Sequence, residues 1–246
     1  MAKVRTEEVK LTVEGQEMAT FVALPQGAGP HPAVLVFEEI YGVNSHIRDV
    51  AERLAGEGYF AIAPDFHHRA WATGTQLGYD EAGRKKGMTV IPSLSGAGIE
   101  ADIAATLAYV AQRPEASRDK LGAIGFCIGG HVAFLAAATH PFAATASFYG
   151  GGIATFSPGG GPKTVERAGD IKGKILCLFG RQDQSITPEE VQTIERALEA
   201  KQVRHEVVVY DQAGHGFFCD QRPSYDAEAA ADAWERVKRL FAEELA

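Results

Sequence analysis

The strongest constraint on this chain is a rhythm in which short, continuously apolar runs alternate with segments whose apolar residues recur at helical spacing. Residues 33–37, 60–63, 121–126, 144–149, 175–179 and 206–210 are strand-length and lack polar alternation, as parallel strands covered on both faces do. Between them, Ile47, Val50, Ala51 and Leu54 repeat at i, i+3, i+4, i+7, and Ile99, Ile103, Leu107 and Val110 at i, i+4, i+8, i+11. Each set lines one helix face. The alternation predicts an α/β fold with a mostly parallel central sheet flanked by helices. Ahead of it, 9–13 and 19–24 are separated by Glu14-Gly15-Gln16 and predict a hairpin at one sheet edge. Val191, Ile194 and Leu198 follow the cap and first-turn proline Thr187-Pro188, while Trp234, Val237, Phe241 and Leu245 stripe a last helix. Two polar or glycine-rich stretches, 67–95 and 150–173, read as long loops. Nothing reads as a linker, so residues 1–246 are expected to form a single domain without a large cap domain.

Composition narrows the partners. A net charge of −8 leaves no broad basic surface to displace counterions from phosphates, which argues against nucleic acid and for a small-molecule partner. The opening MAKVRTEE turns acidic at once, and no stretch approaches the roughly 18 apolar residues of a membrane span, so a cytoplasmic protein is expected. Cys127, Cys177 and Cys219 are far apart and show no C-x-x-C spacing, which suits a reducing compartment and predicts neither a metal nor a cofactor.

The most informative segment is Gly122-Ala123-Ile124-Gly125-Phe126-Cys127-Ile128-Gly129-Gly130, where an apolar strand runs through G-x-C-x-G into the helix-forming 133–138. This is the context of a nucleophile elbow, whose flanking glycines permit a sharp strand-to-helix turn that presents one side chain above the sheet. It predicts an α/β-hydrolase fold with Cys127 as nucleophile, although a free cysteine is more commonly just a small buried hydrophobe. A thiol needs a base, and the base an orienting acid. Asp183 follows the run 175–179 through Gly180-Arg181-Gln182, and His215 stands between glycines just past the last run. Their chain order is the one this fold requires. Asp211 is a competing acid, but it lies only four residues before His215, close enough to need an unusual turn. Backbone N–H groups of Ile128, directly after the nucleophile, and Ile40, after an inner strand, are the expected oxyanion donors. A free thiol is only about 3% thiolate at pH 7, so activating it contributes at most roughly thirtyfold, and such donors should matter at least as much.

Over nearly its whole length the chain resembles the dienelactone hydrolases (carboxymethylenebutenolidases). The segments Glu38-Glu39-Ile40-Tyr41-Gly42-Val43-Asn44, Ala63-Pro64-Asp65, Gly125-Phe126-Cys127-Ile128-Gly129-Gly130, Tyr149-Gly150 and Gly214-His215-Gly216-Phe217 stand in the family's order. The resemblance implies a Cys127, His215 and Asp183 triad, with Glu39 as an extra carboxylate that pairs with the cysteine at rest and swings aside when substrate binds. Glu38 beside it reads as an ordinary solvated carboxylate. Tyr41, Tyr149 and Phe217 are expected around the substrate. The family's substrates carry a carboxylate usually held by arginine, yet the position four past His215 is Cys219 here, which leaves Arg84 of the 67–95 loop as the expected cation. The implied activity is hydrolysis of a small ester or lactone through a cysteine acyl-enzyme, by a monomer or small homo-oligomer. A broader carboxylesterase or thioesterase, or a non-catalytic thiol sensor on the same scaffold, are the alternatives.

Overall fold

A computed structural model describes residues 4–246. Eight strands form one sheet in the order β1-β2-β4-β3-β5-β6-β7-β8. β1 (Arg5–Val13) and β2 (Gln16–Leu24) are the expected edge hairpin, closed by Glu14 and Gly15 at φ 49° and 82°. Two successive positive-φ residues give a turn whose twist matches the strands it joins. β2 runs antiparallel to β4 (Phe60–Pro64); from there β3 (His31–Phe37), β5 (Ala116–Phe126), β6 (Ala144–Phe148), β7 (Lys174–Gly180) and β8 (His205–Tyr210) are parallel.

Successive residues of a strand face opposite sides, so the apolar runs supply two cores at once. Val34, Val36, Ala61 and Ala63 pack with Ile47, Val50 and Leu54 of α1 (Ser45–Gly56), whereas Leu35, Phe37 and Ile62 pack with Ile99 and Ile103 of α3 (Gly96–Gln112). The last helix, α6 (Ala227–Glu244), reaches the α1 face through Phe241 beside Gly122, and α4 (Ile128–Thr139) lies on the α3 face with Ala133 beside Gly125. β8 departs from the expectation of burial on both faces: it is half-buried throughout because it has β7 on one side only.

The two loop-like stretches are partly ordered. Residues 67–95 contain α2 (Glu81–Gly87), capped by Asp80 accepting from the Gly83 N–H at 2.7 Å, and a 3-10 turn at Ile91–Ser93; residues 150–173 contain a second at Thr164–Asp170. Gly-Arg-Lys-Lys-Gly offers no apolar stripe, so α2 had no periodic signal. α5 (Pro188–Ala200) completes the helices, and none among the described residues is long and apolar enough to cross a membrane.

Candidate active site

The carboxyl ends of β3, β5, β7 and β8 converge on one cavity of about 840 Å³, whose wall includes Ile40, Cys127, Ile128 and His215. That volume suits a small-molecule ligand. Cys127 stands between β5 and α4 at φ 57° and ψ −121°, with its N–H donating to the Phe148 carbonyl at 3.0 Å. Such a conformation in a non-glycine residue costs about 1–3 kcal/mol and persists only where the surroundings impose it. The neighbouring glycines show how they do. A Cβ on Gly125 would lie 1.9 Å from the Gly129 carbonyl oxygen, and one on Gly129 would lie 2.4 Å from the carbonyl oxygens of Phe37 and Glu38. The turn is therefore packed backbone against backbone. Ile128 opens α4, so its N–H has no carbonyl one turn back to bond and points out at the helix N-terminus.

Of the three cysteines, Cys127 alone is partly exposed. Burial pushes the Cys177 thiol up to about 12 and that of Cys219 up to about 11, which leaves both protonated near neutrality. Cys219, which stands where the family's arginine is expected, is wholly buried.

His215 Nδ1 donates to Asp183 Oδ2 at 2.7 Å, and the other carboxylate oxygen accepts the Ser185 N–H at 2.7 Å, so the acid is fixed from both ends. Burial alone would push the His215 ring down, but the facing Cys127 sulfur and the Asp183 carboxylate more than reverse this and hold its pKa above the ordinary value. Asp211 is exposed and turned away, bound to Arg181 at 2.6 Å. Tyr149 packs its ring edge-on against His215 at 5.1 Å.

Glu38 and Glu39 are both buried, against the solvated reading of Glu38. Glu39 accepts from Arg222 Nη1 at 3.0 Å and from the Tyr79 hydroxyl at 3.1 Å. The expected resting pair with Cys127 is replaced by these two, because a buried carboxylate is held better by a guanidinium than by a thiol. Arg222 reaches this place over Gly216: at φ 79°, a Cβ there would lie 2.3 Å from the arginine Nη1. Its guanidinium also stands about 5.8 Å from the Tyr41 ring centre and 5.7 Å from that of Tyr79.

The cavity wall includes Tyr41, Arg84 and Arg222, but neither Tyr149 nor Phe217. Both of the latter are fully buried, Phe217 among Phe148, Tyr149 and Tyr210, because side chains at these strand ends turn inward to the core. Arg222 was missed in the sequence because it lies seven residues past His215 in a polar loop. An arginine therefore does line the cavity, three positions past Cys219.

A mostly parallel sheet with a nucleophile-type elbow on a central strand, followed by an acid and a histidine from later strand ends, defines an α/β-hydrolase. Residues 18–245 match the model of the dienelactone hydrolase family. A Synechocystis protein provisionally named carboxymethylenebutenolidase is 44% identical over 242 residues, covering 98% of each chain. A Klebsiella pneumoniae structure provisionally described as a dienelactone hydrolase superposes with a TM-score of 0.88 at 33% identity, covering 98% of this chain and 99% of the other. A dienelactone hydrolase-like promiscuous phosphotriesterase from metagenomic libraries gives 0.82 at 26% identity, with 99% of both chains covered. The chain belongs to the dienelactone hydrolase family, and is a hydrolase.

Proposed function

We propose that this hydrolase cleaves a small ester or lactone bearing a carboxylate, of the cyclic enol ester type, through a thioester on Cys127. The observation that carries the reading is the alignment of three groups on one cavity: Cys127 at the elbow, His215 facing it, and Asp183 behind the ring at 2.7 Å.

In this mechanism His215 takes the thiol proton and the sulfur attacks the carbonyl carbon. The N–H groups of Ile128 and Ile40 hold the negative oxygen that develops, each such donor contributing on the order of 10²–10³ in rate. Collapse breaks the carbon–oxygen bond, and the imidazolium returns its proton to the departing enolate or alkoxide. Water then gives a proton to the same ring, attacks the thioester, and releases the acid with the thiol restored. Asp183 keeps the proton on Nδ1 and stabilises the imidazolium between these steps. Arg84 and Arg222 on the cavity wall supply cations for a substrate carboxylate, with Tyr41 beside them.

A broader carboxylesterase is the second reading, favoured by Met88, Ile91 and Phe156, which give the cavity an apolar side that needs no charged substrate. Intact-mass detection of an acyl adduct across charged and neutral esters and lactones separates them. The proposal expects a transient adduct on Cys127 and preferential turnover of anionic substrates. Equal turnover of neutral esters supports the second reading. Unchanged hydrolysis by a folded Cys127→Ala variant would eliminate both, and an oxidant-sensitive Cys127 with no adduct on any ester would favour the thiol sensor.

A further inference from the structure

Behind the active site, the ends of two neighbouring parallel strands bring together charges that the hydrolytic reading does not use. Glu38 follows β3; Asp65 and His67 follow β4. All three are 1–2% exposed, and one ligand atom from each lies within 4.8 Å of the others. Glu38 Oε1 and His67 Nδ1 face each other at 3.5 Å, too far for a good hydrogen bond. Among the described residues, neither Glu38 oxygen nor the His67 Nδ1 has a hydrogen-bond partner of good geometry, although the backbone N–H groups of Phe66 and His67 lie beside the Glu38 carboxylate. Asp65 is partly satisfied by the Gly74 N–H at 2.6 Å, the His67 N–H at 3.0 Å and the Thr73 hydroxyl at 3.4 Å.

Among the described residues, no basic side chain other than His67 itself pairs with this cluster. His68 and Arg69 both engage Asp102, and Arg69 also reaches Glu14. Burying a carboxylate without hydrogen bonds or counter-charge is expensive. A cation seated among these buried, facing ligand atoms would relieve that cost. The separation fits such a charge. Two ligands at about 2.0–2.2 Å from a tetrahedral zinc ion stand about 3.3–3.6 Å apart, which brackets the Glu38–His67 distance. Two carboxylates and an imidazole suit zinc or manganese, whereas calcium and magnesium prefer oxygen alone.

We propose that Glu38, Asp65 and His67 bind one divalent first-row cation, zinc or manganese, as a buried structural site at the start of the loop after β3 that carries Glu39 and Ile40. Because all three ligands are enclosed, the cation enters as the chain folds.

The test is elemental analysis of the full-length protein, expressed in medium supplemented with zinc or with manganese and desalted, together with thermal unfolding. The expected result is about one ion per chain, loss of that ion in both Glu38→Gln and His67→Gln, and a lower Tm in each variant. The alternative is a shared proton in place of the cation. Wild-type protein would then carry no stoichiometric metal, and Glu38→Gln would match or exceed its Tm, overturning the proposal. Metal retained by both variants also overturns it and directs attention to His46, Cys219 and Asp220, the second group of suitable ligands among the described residues. If neither variant folds, wild-type metal content decides by itself, and less than about a tenth of an ion per chain refutes the site.

Discussion

Replacing Arg222 with glutamine strikes a buried ion pair and, under the proposed function, the cation that selects the substrate. Its guanidinium lies 3.0 Å from Glu39, and the two side chains are 17% and 1% exposed. At an effective dielectric constant near 20, opposite unit charges at that distance attract by roughly 5 kcal/mol. Not all of this is lost, since the Tyr79 hydroxyl still donates to Glu39. Removing one partner of a buried pair costs about 3–5 kcal/mol, and the lower end is the appropriate expectation. For a chain of this size about 3 kcal/mol corresponds to a Tm drop of about 6–12 °C. Glu39→Gln alone should cost less, because the orphaned guanidinium retains access to solvent. The double variant should then be more stable than the sum of the singles predicts, by about 2 kcal/mol. Kinetics test the second role of Arg222. Against a matched pair of anionic and neutral esters, Arg222→Gln should lower kcat/KM for the anion by about a hundredfold more, or roughly 3 kcal/mol of transition-state binding. A Tm within a degree or two of wild type, with equal losses on both substrates, would refute the assignment.

Further outcomes are expected elsewhere. Asp183→Asn should lower kcat on an ester by about 10²–10⁴-fold with little change in Tm, whereas Asp211→Asn, at the exposed Arg181 contact, should leave kcat unchanged; equal effects in stopped assays would reverse the assignment of the acid. Gly129→Ala puts a Cβ 2.4 Å from two fixed carbonyl oxygens and should cost more than about 3 kcal/mol in urea unfolding, so a near-native midpoint would mean the elbow can relax. Burial lowers His131 to about 4, while its ring meets the Gly151 carbonyl at 2.9 Å and the Thr164 hydroxyl at 2.7 Å. The unfolded chain therefore binds the proton more readily between 6.5 and about 4, and stability falls as pH falls through that window, by up to roughly 3 kcal/mol. Urea titrations at pH 7 and 4.5 should show a shallower loss in His131→Asn; parallel losses would place the acid sensitivity elsewhere.

The strands and long helices were legible because burial on a pleated or helical face imposes a period on the sequence, and the elbow because glycine is required where backbone meets backbone. Tyr149, Phe217 and Glu38 were misread, and Arg222 was missed, for a common reason. Each lies just past a strand end or in a loop, where periodicity ceases and three-dimensional packing alone decides whether a side chain turns to solvent, cavity or core. Arg222 gave no signal because the bare backbone of Gly216 that gives it passage is visible only in the fold, and Glu38 looked solvated until its neighbours proved to be Asp65 and His67. α2 was hidden because its cap, not its apolar content, makes it a helix.

The 67–95 stretch is fastened beside the cavity at several points. The Leu77 N–H donates to the Tyr41 carbonyl at 2.9 Å, a Cβ on Gly42 would strike the Thr75 carbonyl oxygen at 2.2 Å, and one on Gly87 would lie 2.6 Å from that of Ile40. Lifting it would disturb the loop bearing Ile40 and Glu39, so every opening on that side would also displace the N–H proposed as an oxyanion donor. Traffic of substrate and product is therefore least disruptive along the opposite rim, past Gly151, Gly152 and the partly exposed Phe156. Substitutions there should alter how quickly molecules arrive and leave while the bond-breaking machinery keeps its geometry.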